Sequence, residues 1–513
     1  MKSIRTAHAA SIAVAFALLA CFLGASCSDA LLDEMGRLAS EANRPVISPS
    51  AGSIITAHET ITLSFDSDMD SGAVSIGGDI GLAAPATTWA DPRTLDLNQA
   101  NTVSWSAGTG KKLTVSITES GQTVAYEYTF EVFNGVCVSS PANAQNPGAP
   151  GNAGTVLAPL DTIQAGIDMA YSKYSADIAT VKVAVGSYAI AGTVAVMKEK
   201  ISLKGGYSAS FMSRNYTTYE TVMEDTRISL GTDVAPLPCV DFAEEITSAT
   251  VLEGFSIKPS VGAFGSAIYI ADASPAISYC TIFGKGRGST PKPIRLCGIE
   301  VAGGSPSIQY CTVLLSWDWS AGNTLPADTI GIYTYDSSSA VIEHNTISGG
   351  YGADTYAVNA GGLSDTISLN IVTAGNANNS TGSSYGIYCD WSSPNISGNT
   401  IDAGSGIFGD QVANAYAIWL AVGANPSITG NEIRCSIAVT GEDYAIYEAS
   451  AGSDPSAVSS NSFSSYYGQT GAVNRGYYYD FGESTPEIND LTTSVSLSAT
   501  SDTLESFGNT TFD

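Results

Sequence analysis

The side chains that could perform acid–base chemistry are unevenly distributed along this chain of 513 residues. Asp and Glu number 49 against 21 Lys and Arg, which gives a formal charge of −28. No Lys or Arg occurs between Leu296 and Ile433, and His344 is the only histidine after His58. Acid–base catalysis requires a base and an electrophile held together. This stretch therefore assembles no catalytic constellation, and we expect its carboxylates to be solvated.

Basic residues do occur upstream of that stretch, so catalysis in the first repeats is not excluded. They are Lys258, Lys285, Arg287, Lys292 and Arg295. Asp272 and Asp336 fall in one column two repeats apart, roughly 10 Å by strand spacing, and Glu343 precedes His344. An enzyme is thus the less favoured alternative. We assign no catalytic residue, cofactor or metal ligand.

Aromatic residues at one fixed position of a recurring phrase are the stronger functional signal. The position reads Tyr269, Glu300, Tyr333, Asn359, Tyr388, Trp419 and Tyr447. It should face outward, and the preceding apolar residue always follows Gly or Ala, which we expect to leave room beside each ring. Sugar faces stack on such rings, so Tyr269, Tyr333, Tyr388, Trp419 and Tyr447 form a candidate ligand-binding column. The alternative is that the rings stack on each other or lie under loops.

A second set of aromatic residues lies two positions before the leading apolar residue of its phrase. Period-two alternation would therefore point these side chains toward the interior, and we expect them to pack at the strand entrance. This second column comprises Tyr356, Tyr385, Tyr416 and Tyr444.

The elements that must position these residues are short strands in a repeat of about thirty residues. The leading apolar residues of the seven phrases are separated by 31, 33, 26, 29, 31 and 28 residues. Alternation within each phrase has period two, and Gly, Ser-Pro and Asn interrupt it. Such a unit cannot bury its apolar side alone, so copies must stack. The pattern predicts a β-solenoid with parallel rungs ~4.8 Å apart. An amphipathic helix over 160–174 would cap its first rung.

Each phrase closes at a residue predicted to form a structural ladder along the axis. The ladder comprises Cys280, Cys311, Asn345, Asn370, Asn399, Asn431 and Asn461. Stacked amides can satisfy one another's donors and acceptors. Cys280 and Cys311 are either within disulfide reach or simply small residues packing in the ladder, and both readings remain open.

The repeats, with their G-I-x-x and P-x-I-x-x-N-x-I phrases, resemble the right-handed parallel β-helix family of pectin-lyase-like architecture. The resemblance covers about 160–480. Many members of that family cleave acidic polysaccharides, lyases with an Arg or Lys base and hydrolases with clustered Asp. The resemblance implies the fold and bears weakly on function.

Residues 44–134 alternate apolar and polar side chains in short strands, as a β-sandwich does. The segment from Phe65 to Asp70, with Met69 before its last aspartate, resembles the F-x-x-x-M-D signature of bacterial Ig-like domains of surface-layer type. We therefore predict an N-terminal Ig-like β-sandwich. The whole chain is expected to be all-β, with a right-handed parallel β-helix and one short capping helix.

The N-terminus has the pattern of a secretory signal, with Lys2 and Arg5 before an apolar run from Ala9 to Leu23. The cysteines that follow resemble those of bacterial lipoproteins, in which the cysteine is lipidated. Cys27 is favoured over Cys21 because Cys21 lies inside the apolar run. An ordinary signal with incidental cysteines is the alternative. We expect an exported protein held in the cell envelope, at the outer membrane or cell surface, through a lipid anchor only.

The predicted organisation is a signal (1–26), a tether (27–43), the β-sandwich (44–134), a linker (135–155), the β-helix (156–480) and a C-terminal cap or tail (481–513). The acidic surface excludes nucleic acid as a partner. A monomer presenting a non-catalytic surface to a neutral glycan or a protein is the favoured function, with a polysaccharide-degrading enzyme or a purely structural envelope component as alternatives.

Overall fold

The structure is a computed structural model. It describes residues 44–80, 87–98, 105–119, 122–190, 194–226, 238–259, 264–286, 295–317, 328–377, 382–404, 414–435, 442–450, 453, 455–465 and 473–479. The predicted signal, the tether, Cys21, Cys27 and the C-terminal segment 481–513 lie outside these residues. Contacts divide the chain into two compact units, one of residues 1–135 with 155–157 and one of 136–154 with 158–513.

The first unit contains two four-stranded sheets that fit an Ig-like β-sandwich. One sheet has, in spatial order, Val46–Ser48, Ile61–Ser64, Thr94–Leu97 and Thr87–Asp91. The other has Ile54–Thr56, Gln122–Phe133, Gly108–Glu119 and Val74–Gly77, the last preceded by a 3-10 turn at Ser71–Ala73. All pairings are antiparallel except that of Ile54–Thr56 with its neighbour. Alternate side chains such as Ile61, Leu63, Leu113 and Val115 are fully buried, as the period-two pattern predicts.

A buried carboxyl group gives this unit a predicted pH dependence. Burial raises the pKa of Glu59 to about 7, although its carboxylate accepts a hydrogen bond from the Thr56 N–H at 2.8 Å. The folded state thus binds the proton more tightly than the unfolded chain, and the resulting stability is present below about pH 4.5 and lost as pH rises through 7.

We expect Glu59→Gln, which keeps the acceptor without the charge, to raise the free energy of unfolding at pH 8 by up to roughly 3 kcal/mol, at about 1.36 kcal/mol per pKa unit. At pH 4 the variant should match the wild type. Hydrogen exchange of residues 54–65 at both pH values measures the difference. The exposed Asp66→Asn is the control, and a Gln variant that keeps the wild-type pH dependence would contradict the prediction.

The second unit is a parallel β-helix, which confirms the predicted fold class. The helix Ile163–Tyr174 lies near its beginning, with Thr162 accepting a hydrogen bond from the Ala165 N–H as its N-cap. Its buried residues Ile163, Ile167, Ala170 and Tyr174 recur every three or four positions, as in the amphipathic helix predicted over 160–174.

Three long sheets run along the axis, and in each the neighbours are successive rungs. The first sheet comprises Gly135–Val138, Ala179–Ala184, Ile201–Tyr207, Val251–Glu253, Ala276–Ser278, Ser307–Gln309, Val341–Glu343, Thr366–Ser368, Asn395–Ser397, Ser427–Thr429 and Ala457–Ser459. The second comprises Gly186–Ile190, Thr221–Asp225, Ser256–Lys258, Thr281–Gly286, Thr312–Trp317, Thr346–Ser348, Ile371–Thr373, Thr400–Asp402, Glu432–Cys435 and Ser462–Ser465. The third comprises Ala195–Val196, Val240–Phe242, Phe264–Ala271, Arg295–Ala302, Asp328–Tyr335, Asp354–Ala360, Ser383–Cys389, Asn414–Leu420, Glu442–Glu448 and Val473–Tyr479. Tyr351–Gly352 and Asn376–Ala377 form a small extra sheet.

Strand Gly135–Val138 and the turns after it occupy much of the segment for which the sequence predicts a linker. The core of the solenoid is a set of aliphatic columns. The leading apolar residue of every phrase has no exposed surface: Ile268, Ile299, Ile332, Val358, Ile387, Ile418 and Ile446. Because these residues are register partners in successive strands, each outward position also becomes a column.

Candidate ligand-binding surface

The predicted aromatic column lies in register on the third sheet. Asp241, Tyr269, Glu300, Tyr333, Asn359, Tyr388, Trp419 and Tyr447 are successive register partners. The five aromatic members are half-buried, whereas Glu300 is buried. The column is interrupted at Glu300 and at Asn359, so its continuous aromatic part begins at Tyr388.

The rings of this continuous part stack on one another. Tyr388 and Trp419 are parallel to within 8° with centroids 6.4 Å apart, and Trp419 and Tyr447 lie 4.3 Å apart. A sugar ring between two aromatic rings would need about 3.5–4 Å of contact distance on each side. The faces along the axis are therefore taken by neighbouring rings, and the column presents edges and hydroxyl groups outward.

The second aromatic column lies on the same side of the sheet, directly beside the first. Tyr356, Tyr385, Tyr416 and Tyr444 stack with centroid distances of 4.7, 5.3 and 5.1 Å. Edge-to-face contacts join the columns, at 5.3 Å between Tyr385 and Tyr388 and at 4.4 Å between Tyr416 and Trp419. We call the seven rings from Tyr356 to Tyr447 in these two columns the aromatic wall: Tyr356, Tyr385, Tyr388, Tyr416, Trp419, Tyr444 and Tyr447.

The prediction that side chains of the second column face the interior is wrong. The alternation of inward and outward side chains is interrupted in the strand between the two columns. Ala357 and Val358 are adjacent, and both are fully buried, which places Tyr356 and Asn359 on the same outer side. The Gly or Ala that precedes the leading apolar residue was expected to leave room beside each outer ring. The structure gives a different reason for its small size. A Cβ on Gly386 would lie 2.9 Å from Ile401 Cγ2 and 2.5 Å from the carbonyl oxygen of Ala417. The small residue therefore fits a narrow part of the interior, and it leaves no room beside the outer rings.

Carboxylates flank the wall. Burial raises the pKa of Asp354 and of Asp390 above the ordinary value, although Asp354 accepts a hydrogen bond from the Ser383 N–H at 2.8 Å. Burial also raises the pKa of Tyr385 to about 12, which keeps its hydroxyl protonated and able to donate. This part of the surface combines phenol hydroxyls with partly desolvated acids, and the sequence supplies no Lys or Arg there.

An ion pair lies at the position where Glu300 interrupts the column. Arg295 Nη2 lies 2.6 Å from Glu300 Oε1, and the guanidinium is 5.0 Å from the centroid of the Tyr333 ring. Tyr335 donates its hydroxyl to the same Glu300 oxygen at 3.2 Å. Arg295 is thus neutralised and held, which leaves it poorly suited to act as a base.

The other acid–base candidates do not converge on one place. Asp272 and Asp336 occupy the same turn position two rungs apart, after the third sheet. Glu343 accepts hydrogen bonds from Gln309 and Ser368, and its neighbour His344 stacks on Tyr310 at a different turn. Lys258 lies over the Phe283 ring. Arg287, Lys292 and the side chain of Lys285 lie outside the described residues.

The structure places the ladder residues in one hydrogen-bonded column. Asn345, Asn370, Asn399 and Asn431 each donate Nδ2 to the Oδ1 of the next Asn at 2.9–3.0 Å. Each also donates Nδ2 to a carbonyl of an earlier rung, and its backbone N–H bonds to the same next Oδ1. Cys280 and Cys311 are buried free thiols whose sulfurs contact backbone carbonyls. The ladder side chains are buried, so they stabilise the turn and are not accessible to a ligand.

A further aromatic column was missed by the sequence reasoning. The residue before each ladder position has positive φ, and Tyr279, Tyr310 and His344 stack there with Tyr216 at 5.0–5.1 Å. Tyr279 and Tyr310 are 37% and 47% exposed. Their position immediately before Cys280 and Cys311 was a readable signal. Trp391, 72% exposed at the turn after Cys389, was also missed because it falls outside the repeated phrase.

Among the described residues, no group of three or more His, Cys, Asp or Glu side chains is arranged to hold a metal ion. Within the same residues, no helix has the length and apolar character needed to cross a membrane. No protein-family model matches the chain, and no curated protein matches its sequence significantly.

Proposed function

We propose that the β-helix is a non-catalytic binding module and that the aromatic wall is its contact surface. The observation that carries the proposal is the wall itself, two interlocked columns of Tyr and Trp on four successive rungs. Buried Tyr and Trp with polar edges are the residues that dominate protein interfaces. Because the ring faces are occupied, a protein partner is favoured over a stacked sugar chain.

The charge distribution supports binding over cleavage. The acids and bases that a lyase or hydrolase would need lie at separate turns, and Arg295 is paired with Glu300. The resemblance to pectin-lyase-like β-helices supports the architecture of the module, and that of residues 44–134 to bacterial surface-layer Ig-like domains supports a role as a spacer.

We also propose that the protein is exported and anchored by lipid at Cys27, with Cys21 as the alternative residue. The charged and apolar pattern of residues 2–27 supports this localisation in the cell envelope. Mass analysis of the N-terminal peptide after acid extraction should show a diacylglyceryl adduct on a cysteine. An unmodified N-terminal residue would overturn the anchor.

The binding proposal is tested with the purified chain against immobilised neutral polysaccharides, acidic polysaccharides and a Lys/Ser peptide. We expect binding without release of reducing ends or unsaturated products. The double variant Tyr388→Ala with Trp419→Ala should weaken binding about tenfold, since two central interface aromatics are removed.

The matched control removes two stacked rings from the turn column, Tyr310→Ala with His344→Ala, and should leave affinity within about twofold. Product release proportional to protein concentration would overturn the non-catalytic function in favour of a polysaccharide-degrading enzyme. Binding that survives the wall variant unchanged would overturn the wall as the contact surface.

A further inference from the structure

Trp391 follows Tyr388 of the aromatic wall by three residues and is far more exposed than any ring of the wall. It follows the strand Ser383–Cys389, which carries Tyr385 and Tyr388, and it is 72% exposed. One side of its indole lies against Gly423, where a Cβ would be 2.8 Å from Trp391 Cε3. The backbone N–H of Trp391 donates to the Val422 carbonyl at 3.0 Å, which fixes the turn. The ring is therefore seated on one face and open on the other.

The packing of the Trp391 indole against residue 423 requires a glycine at that position. Its φ is +72°, a conformation that side-chain-bearing residues adopt at a cost, and any Cβ would collide with the indole. A large aromatic side chain held open to solvent in this way is an expected feature of a binding hot spot.

One carboxylate is next to this open ring in the chain. Asp390 immediately precedes Trp391 and is half-buried. After burial, the negative charge of Asp390 is the largest cause that raises the pKa of Tyr388, a ring of the wall. Burial alone raises the pKa of Asp390, and among the described residues no Lys or Arg acts on this carboxyl group. The sequence contains no Lys or Arg from 296 to 433, the stretch in which Asp390 and Trp391 lie.

The two features together select a cation. An open indole face attracts ammonium or guanidinium groups, and partly desolvated carboxylates are stabilised by an opposite charge. Anionic ligands are repelled by the same groups and by the net charge of −28. The neighbouring wall presents ring edges and hydroxyls, which suit a polypeptide better than a flat sugar face.

We propose that Trp391, with Asp390, binds a Lys or Arg side chain of a polypeptide partner that also contacts the aromatic wall. The proposal rests on the proposed function, and it adds the chemical class of the partner and the residues that recognise it.

The test uses the full chain and three immobilised probes: an alternating Lys/Ser peptide, the same peptide with acetylated lysines, and a chitosan oligosaccharide. We expect the Lys/Ser peptide to bind. Trp391→Ala and Asp390→Asn should each weaken it about tenfold, and acetylation should weaken it at least as much. Trp391→Phe should retain part of the affinity, because Phe keeps an aromatic face.

Glu244→Gln is the matched control, since it removes one exposed negative charge on an early loop of the same unit. It should change affinity by less than about twofold. Equal losses in Asp390→Asn and Glu244→Gln would show attraction by net charge alone and overturn the proposal. Chitosan binding that depends on Trp391, without such peptide binding, would overturn it in favour of an amino-sugar ligand.

The same experiment separates this proposal from the proposed function. If Trp391→Ala weakens peptide binding while the Tyr388→Ala, Trp419→Ala variant does not, the cation site stands and the wall is not the contact surface. If only the wall variant loses binding, the wall stands and the cation site is overturned.

Discussion

Asn399→Ala is expected to lower the free energy of unfolding of the β-helix by about 4 kcal/mol, since several buried polar groups lose their partners together. Asn399 Oδ1 accepts from the backbone N–H and the Nδ2 of Asn370, at 2.9 and 3.0 Å. Its Nδ2 donates to the Ile367 carbonyl at 2.8 Å. Each orphaned group costs about 1–3 kcal/mol when no water can reach it.

Urea unfolding and hydrogen exchange measure this loss. Protection should fall first at the amides of Asn370 and Ile371, because solenoid rungs are coupled mainly to their neighbours. The control is Asn395→Ala in the same rung, whose side chain is exposed, and it should cost less than about 0.5 kcal/mol. A loss below about 1 kcal/mol in Asn399→Ala would show that the ladder is not the stabilising feature.

Tyr416→Ala is expected to be comparably damaging, with a loss of about 4 kcal/mol. Only 4% of Tyr416 is exposed, and its ring contacts four others, with centroids at 5.3 Å to Tyr385, 5.1 Å to Tyr444, 4.4 Å to Trp419 and 5.2 Å to Tyr447. Removing the ring opens a cavity at the centre of the aromatic wall and ends its edge-to-face contacts. Near-ultraviolet circular dichroism should weaken in parallel with the urea midpoint.

Two control variants distinguish the contribution of the buried Tyr416 ring from that of its hydroxyl group and from that of ring stacking at an exposed position. Tyr416→Phe loses the acceptor for Asn414 Nδ2 at 2.9 Å and should cost about 1 kcal/mol. Tyr310→Ala removes a ring stacked on both sides but 47% exposed, and it should cost about 1 kcal/mol. Equal losses for Tyr310→Ala and Tyr416→Ala would contradict the view that burial within two interlocked columns gives the wall its stability.

The contacts that stiffen the wall also limit what it can bind. An isolated column of parallel rings would offer its ring faces to sugars. In this protein the ring faces contact each other and the rings of the neighbouring column. What remains accessible is a preorganised surface of edges, hydroxyls and flanking acids. In the proposed function, such a surface would lose little side-chain entropy on binding a polypeptide partner.

The sequence predicted the β-helix, its repeat, its aliphatic core and the register of the outer column, because each depends on a local alternation repeated at a nearly constant interval. The same logic applies to the Asn residues, whose position at the end of each phrase specifies a ladder once the rungs stack. The alternating apolar residues of the first unit, such as Ile61 and Leu63, likewise led directly to buried strands.

The tertiary structure alone decided which faces of the aromatic residues are available. Two adjacent inward residues, Ala357 and Val358, reverse the parity that a regular strand would keep, so Tyr356 and Tyr385 lie outside and occupy the faces and edges of the first column. Likewise, Trp391 packs one side of its indole on Gly423 of the next rung and leaves the rest of the ring exposed. Period-two alternation specifies position along a strand, whereas the accessibility of a ring depends on neighbours brought together by stacking from some thirty residues away.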